Sequence, residues 1–466
     1  MCLSEPRDAG GGAPFSQNLL SFVDEISRRA TMQSRPKVLV IAESANPEWS
    51  SASLIGWSLS RALRQHVDAH VVTHVRNRDA LQRAGWSQGR EYTAIDPGVV
   101  ENPINRFGEV VRKLARLGWT WTTALATFSY YYFEHLVWQR FGESIRGGDF
   151  DIVHRITPVS PATPSPIARR CRSACVPFVW GPMNGGVPWP KEFREALRRE
   201  GEWLSYVRGV HRLMPGYAVT RSAAAALITG SLCAWQEMKG HHERCVYIPE
   251  NAIEPSRFEV PEPASVDGPL RAAFVGRLVP LKGVDMLIDA AAPLVRSGQV
   301  AIDIIGDGPE MAALRRRVAE AKIADGVALH GWIDHREVVK LLVRSQVFAF
   351  PSIREFGGGV VLEAMTLGLV PIVVNHGGPG ELVTDETGFR VPLGSRDSIV
   401  AAFRDILAAL AASPDRARHI GEKARRRVHK LFTWDVKARQ IVEIYRWVLG
   451  QRGKPDFGMP LPDDPA

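Results

Sequence analysis

The stretch Phe348-Ala-Phe-Pro-Ser-Ile-Arg-Glu-Phe-Gly-Gly-Gly-Val-Val-Leu-Glu-Ala-Met-Thr-Leu-Gly-Leu-Val-Pro-Ile-Val-Val374 decides the fold. A short apolar strand ends at Pro351 and a loop then presents Glu355. Three glycines, Gly357, Gly358 and Gly359, open a helix that carries Glu363, and a second apolar strand starts near Pro371. This is a βαβ unit with a phosphate-sized opening. Glycines at a helix N-terminus leave backbone N–H groups bare, and the helix dipole favours negative charge there, so a phosphate or a phosphorylated sugar is the natural guest. Two carboxylates bracket the same pocket.

Outward from this unit, apolar strands alternate with helical patterns on both sides. Lys37–Ile41, Ala69–Thr73, Asp151–His154, Pro177–Trp180, Ala225–Thr229 and Cys245–Ile248 read as buried strands. A helix with Leu54, Trp57, Leu59 and Leu63 on one face follows the first. A second β/α series runs from Arg271 to about Leu431, after a stretch of Pro, Glu, Ser and Asp without periodicity. At 466 residues the chain exceeds one ordinary core. The expected fold is α/β, with two Rossmann-like units facing a cleft at the carboxyl ends of their strands. The expected boundaries are an N-terminal extension over 1–35, a first domain over 36–254, a linker over 255–269, a second domain over 270–431, a last helix over 432–450 and a disordered tail over 451–466.

A Glu, seven residues and a second Glu across a glycine-rich helix start resembles the donor-site signature of the retaining GT-B glycosyltransferases of family 4. Phe274-Val-Gly-Arg-Leu-Val-Pro-Leu-Lys-Gly283, Ile304-Ile-Gly-Asp-Gly-Pro-Glu310, Gly377-Gly-Pro-Gly-Glu381 and Gly388-Phe-Arg carry the resemblance through the C-terminal half, in that family's order. It implies transfer of a sugar from a nucleotide diphosphate sugar to an acceptor with retention, in polysaccharide or glycolipid synthesis. Arg277 and Lys282 would hold the donor diphosphate and neutralise the charge growing on it, and Glu355 would orient the sugar. Gly276, Phe356, Gly357, Gly358, Gly359 and Val360 would line the donor, Glu363 would accept hydrogen bonds from the ribose, and Gly331, Trp332 and Ile333 would meet the base. On the acceptor side stand His154, Asn184, Gly185, Ser50 and Ser51. The last helix matches the family's crossover helix. A phosphorylase-like or synthase-like member, or a silent subunit that binds nucleotide sugar, are the competing readings.

Three departures from the family pattern stand out. The aromatic after Glu355 is moved by one position, to Phe356. Ile156 stands where a second His often follows His154. The first loop reads Asn46-Pro-Glu-Trp-Ser-Ser51 in place of a Gly-Gly pair. Gly306-Asp-Gly-Pro-Glu310 lacks the third glycine of a dinucleotide fingerprint, because Met311 occupies its place, so a nicotinamide or flavin is disfavoured.

A net charge of +8 suits nucleotide diphosphates, anionic lipid or nucleic acid. No nucleic-acid partner, metal or resident cofactor is expected. Five cysteines without framework spacing (Cys2, Cys171, Cys175, Cys233, Cys245) suit reduced thiols. Residues 1–31 hold Glu5, Asp8, Asp24 and Glu25 and no apolar run of signal length, which speaks for a cytoplasmic protein with Met32 as an alternative start. Arg106, Arg112, Lys113 and Arg116 precede an aromatic run from Trp119 to Phe141 that includes Glu134 and His135. Two readings stand for 106–141: an interfacial helix pair that docks the enzyme peripherally beside a lipid-linked acceptor, or a buried helical hairpin.

Overall fold

The computed structural model describes residues 35–98, 119–200, 210–258 and 268–459. Two all-parallel sheets carry the chain. The first holds β1 (Lys37–Ala42), β2 (Asp68–His74), β3 (Tyr92–Ile95), β4 (Ile152–Thr157), β5 (Phe178–Met183), β6 (Ala226–Thr229) and β7 (Cys245–Tyr247), in the order β3-β2-β1-β4-β5-β6-β7. The second holds β8 (Leu270–Val275), β9 (Val300–Ile305), β10 (Val327–Gly331), β11 (Val347–Phe350), β12 (Val370–Val374) and β13 (Phe389–Val391), in the order β10-β9-β8-β11-β12-β13. The fully apolar strands, such as Val347-Phe-Ala-Phe350, are buried on both faces, as parallel strands between helix layers must be. Strand order reverses between β1 and β4 and between β8 and β11, and such reversals open the crevices where α/β sheets take ligands. Strand β3 has no counterpart in the sequence reading. Its four residues are too few for a period, and Tyr92 alone is fully buried.

The chain crosses between the two sheets twice at one place. Ile253 bridges Thr433, with Ile253 N–H donating to Phe432 O at 2.8 Å and Trp434 N–H to Ile253 O at 3.3 Å. Helix Trp434–Val448 then lies against helix Ala52–His66, burying Trp434, Ile441, Ile444 and Tyr445 in the first core. Lys437 on this helix is buried and donates to Pro249 O.

Three expectations change. His154 does not open on the cleft. It is fully buried, with Nε2 2.8 Å from Gly181 O and Nδ1 2.6 Å from Tyr445 Oη. A carbonyl only accepts, so Nε2 carries the proton and Nδ1 accepts from the phenol. The imidazole therefore ties β4 and β5 to the last helix. Helix Trp119–Gly147 carries the aromatic run of the 106–141 reading, and residues 99–118, with Arg106, Arg112, Lys113 and Arg116, lie outside the described residues. From Tyr130 on that helix is core: Tyr130, Phe133, Val137 and Ile145 are buried, and buried Glu134 accepts from Tyr130 O–H at 2.6 Å, from Ile167 N–H at 3.0 Å and from Ser165. Among the described residues no helix is long and apolar enough to cross a membrane. The linker starts as an ordered turn, Pro255–Phe258, with Phe258 in the second core. The tail is anchored over 451–459, where Lys454 donates to His242 O at 2.9 Å and Phe457 packs on the first core.

Burial holds the His154 imidazole down at about 4, against an ordinary value of 6.5. The folded protein keeps His154 neutral while the unfolded chain binds a proton below pH 6.5, so stability falls as pH drops from 6.5 towards 4. The full effect is about 3 kcal/mol. Chemical denaturation between pH 7.5 and 4.5 should therefore show a steeper loss for wild type than for His154→Gln, and parallel losses would contradict the assignment.

Candidate functional site

The β8/β11 reversal brings two loops together at the carboxyl end of the second sheet. Residues 276–283 follow β8 and residues 351–358 follow β11, and Ile353 N–H and Ser352 Oγ both donate to Leu281 O, at 3.0 and 3.2 Å. Gly283 adopts φ +66°, and a Cβ there would stand 2.5 Å from Pro351 O. Only glycine accommodates both conditions. The closeness sets Lys282 against Glu355, whose carboxylate it pairs, and the ammonium lies 5.0 Å over the Phe350 ring. Arg277 is exposed, and no described residue pairs its guanidinium. The loop at 306–310 braces this arrangement from beneath. A Cβ on Gly306 would fall 1.9 Å from Gly276 O, and Leu278 N–H donates to Asp307 O at 2.9 Å.

Helix Gly359–Thr366 starts from Gly358 (φ +66°) with no side-chain cap; Val361 N–H donates to Gly358 O at 2.9 Å, and the Gly359 and Val360 N–H groups find no partner among the described residues. Glu363 lies one turn in, and its carboxylate accepts no hydrogen bond from a described residue. Its nearest partner is His335 Nε2 at 3.8 Å. The turn before the helix is packed from two sides. Gly378 N–H donates to Glu355 O at 3.2 Å, and a Cβ on Gly377 would meet that oxygen at 2.2 Å. On the other side a Cβ on Gly357 would reach Asn251 Nδ2 at 1.9 Å and Glu250 Oε1 at 2.3 Å. Phe356 is exposed at the rim, Val360 and Ile333 are half-buried, and Trp332 is 79% exposed.

Residues from the first sheet close over this face, and the sequence reading missed most of them. Arg354 is buried, donates through Nε to Val187 O at 3.0 Å, and stacks its guanidinium on Trp189 and Phe356 at 5.0 and 5.1 Å. His376 Nε2 donates to Pro188 O at 3.0 Å. Glu250 sits under Gly357, and burial pushes its carboxyl up to about 7. The Asn184 amide and the Lys437 ammonium pull against that rise, while the charges of Glu355 and Glu381 add to it. Burial lowers Lys437 to about 7. The one local sign of Glu250 and Asn251 is their place in a Pro-Glu-Asn turn after β7.

Asn184 is buried and turns its Oδ1 back to Gly185 N–H at 2.7 Å, whereas Gly185 borders the cleft loop with φ +140°. Ser50 and Ser51 are exposed. Ser51, at φ 60°, precedes helix Ala52–His66 without a side-chain cap, and Asn46 Oδ1 accepts from Glu48 N–H at 2.9 Å. No three His, Cys, Asp or Glu side chains gather as a metal set among the described residues. Cys171, Cys175 and Cys245 are free thiols.

Residues 256–427 match the family model described as glycosyl transferases group 1. The chain is 31% identical to a glycogen synthase of Mycobacterium tuberculosis over 204 residues, 43% of this chain and 48% of that protein. It is 28% identical to the amylovoran biosynthesis glycosyltransferase AmsK of Erwinia amylovora over 207 residues, 43% of this chain and 50% of that protein. The chain thus spans about half the length of the curated relatives it matches. The solved structure of Anabaena Alr3699/HepE in complex with UDP and glucose superposes on 88% of this chain and 98% of that one, with a TM-score of 0.56 and 18% identity. The fold is α/β and GT-B, with its two sheets of seven and six strands.

Glu381 joins the two units. Its carboxylate accepts from Leu232 N–H at 3.1 Å and from Tyr247 O–H at 2.7 Å, and burial raises its pKa against those bonds. Glu381→Ala leaves both donors buried without a partner, a loss of about 2 kcal/mol or more. Urea unfolding should show that loss for Ala and a smaller one for Gln, and a change below ~0.5 kcal/mol for both, the size of an ordinary surface substitution, would rule out the latch.

Proposed function

We propose that the chain is a retaining glycosyltransferase of family 4 that moves a sugar from a nucleotide diphosphate sugar to an acceptor hydroxyl. The observation that carries this reading is the Lys282–Glu355 pair beside the uncapped start of helix Gly359–Thr366, with Glu363 one turn further on. Arg277, Lys282 and the helix N–H groups would bind the diphosphate and take up the charge that gathers on it as the bond to the sugar's anomeric carbon breaks. Glu355, held by Lys282, would orient the sugar and stabilise positive charge at that carbon. Glu363 would accept from the ribose.

In the same-face step the bond from the anomeric carbon to the leaving phosphate oxygen breaks and the bond to the acceptor oxygen forms. The acceptor's proton passes to a phosphate oxygen of the departing diphosphate, so no protein base is required. The Anabaena structure is a complex with UDP and glucose, which makes UDP and UDP-glucose the first probes. The AmsK relative is named for amylovoran biosynthesis, and an acceptor on a growing polysaccharide or its lipid carrier suits the first unit. There Phe128 is 53% exposed and Leu213 83% exposed, and Tyr131 Oη donates to Pro215 O at 2.5 Å, drawing the two segments together. An apolar lip of this kind supports peripheral contact with a membrane that bears the acceptor.

A thermal-shift screen with UDP, GDP, ADP and their sugars should find one family of ligands that raises the melting temperature. With the donor so found, Arg277→Ala and Lys282→Ala should each lower turnover ~10²- to 10³-fold with little change in melting temperature. Near-wild-type turnover of Arg277→Ala would remove the donor-site reading.

Activity should persist in EDTA, because protein cations supply the charge that a divalent ion supplies in other transferases. Complete loss, restored by Mn²⁺ or Mg²⁺, would contradict the mechanism. Sedimentation with anionic liposomes should fall for Phe128→Glu/Leu213→Glu. Equal, negligible binding by wild type and variant would favour an acceptor free in solution.

A further inference from the structure

One polar group beside Glu363 has no role in the reading above. Helix His335–Val343 starts from Asp334, whose Oδ1 accepts from Arg336 N–H at 2.9 Å, and His335 is its first residue. The His335 ring packs edge-on against Phe258, with centroids 5.9 Å apart and planes at 69°. Phe258 is itself buried in the second core, so the ring is held in place from behind. Its Nε2 is closed to solvent and makes no hydrogen bond to a described residue. That nitrogen lies 3.8 Å from Glu363 Oε2, on a side chain that is 30% exposed.

A donor–acceptor distance of 3.8 Å is too long for a direct hydrogen bond, which ends near ~3.2 Å. It does match the span of two bonds that share one oxygen. A hydroxyl oxygen about 2.8 Å from each atom closes the triangle, accepting from Nε2–H and donating to Oε2. Small rotation of the partly exposed Glu363 side chain opens the place for it. A phosphate oxygen does not fit the same place, because beside the carboxylate it has no proton to give. A hydroxyl gives one bond and takes another. We propose that His335 and Glu363 together hold one ribose hydroxyl of the nucleotide, which makes the site selective for ribonucleotides over deoxynucleotides. The inference rests on the donor-site reading, in which Glu363 faces the ribose. It adds a second binding residue from a different helix and a selectivity that a lone carboxylate lacks. A site built around a hydroxyl rejects the ligand without it, since both polar groups are then left unpaired.

Calorimetric titration of UDP, 2′-deoxy-UDP and 3′-deoxy-UDP tests this on the full chain, with GDP or ADP and their deoxy forms if the thermal-shift screen favours those. Wild type should prefer the ribonucleotide by ~10-fold or more over at least one deoxy form. His335→Phe keeps the ring packing on Phe258 and should lose most of that preference. His335→Gln keeps an N–H donor and should hold the preference within ~3-fold of wild type. A melting temperature near wild type for each variant establishes that both are folded. If wild type binds the ribonucleotide and His335→Phe keeps the same ribo-to-deoxy ratio, the His335 assignment is overturned while the donor site stands. If wild type binds none of the three ribonucleotides, the donor-site reading falls and this inference falls with it.

Discussion

Backbone meeting backbone is the constraint on which the rest of the site depends. Gly306 lies against Gly276 O, Gly308 against Leu278 O, Gly283 against Pro351 O, and Gly377 against Glu355 O, each so close that a methyl group would overlap the carbonyl. Four loops from four strand ends are thereby stacked without intervening side chains. Side chains are then free to point one way, into the crevice, and Lys282, Glu355 and Glu363 are brought to one mouth by the stacking more than by their own bonds. A methyl at any of these glycines would need the loops to part by an ångström or more, which a close-packed interior resists.

The same principle explains what was legible in the sequence. In the second half, glycines at fixed offsets from apolar strands report these close approaches directly, so the loop after β8, the brace at 306–310 and the glycine turn could be read together. The contacts are also local in topology, each between neighbouring strand ends. The first half holds such marks at Gly56, against Ser44 O, and Gly181, against Ile228 O, but they do not announce the distant partners of its polar residues. His154 reads as a strand-end residue with a polar side chain, and nothing near it in sequence announces Tyr445, 291 residues away, as its partner. Arg354 looks like a loop cation, yet Val187 and Trp189, which hold it, are 165 or more residues upstream. The aromatic run after Trp119 carried two meanings because rings suit a membrane interface and a core equally. Buried Glu134, satisfied by Tyr130, Ser165 and Ile167, is what fixes one face of that helix, from Tyr130 on, as core.

Charge follows the same division. Paired carboxylates and cations on the outer helices, such as Arg396 between Asp285 and Asp289, brace neighbouring helices at partly exposed positions where such pairs contribute little individually. Arg277, which no described residue pairs, and Glu363, with only His335 at 3.8 Å, stand at the crevice. Beneath it Glu250 and Lys437 share a dry junction in which each is pushed towards its neutral form by burial. The junction is where the two units touch, so the ionisation of this pair and the fit of the glycine turn above it are parts of one packing problem.

The double crossing of the chain has a consequence for how the protein is made. The first unit's core is completed by Trp434, Ile441, Ile444 and Tyr445, and its imidazole tie at His154 waits for the Tyr445 phenol. On the ribosome, synthesis runs from the N-terminus, and domains ordinarily fold as they emerge. Here the earlier-made unit is left with an open groove along helix Ala52–His66 until the last helix is released. The apolar groove is the surface that a nascent-chain chaperone would meet for the longest time.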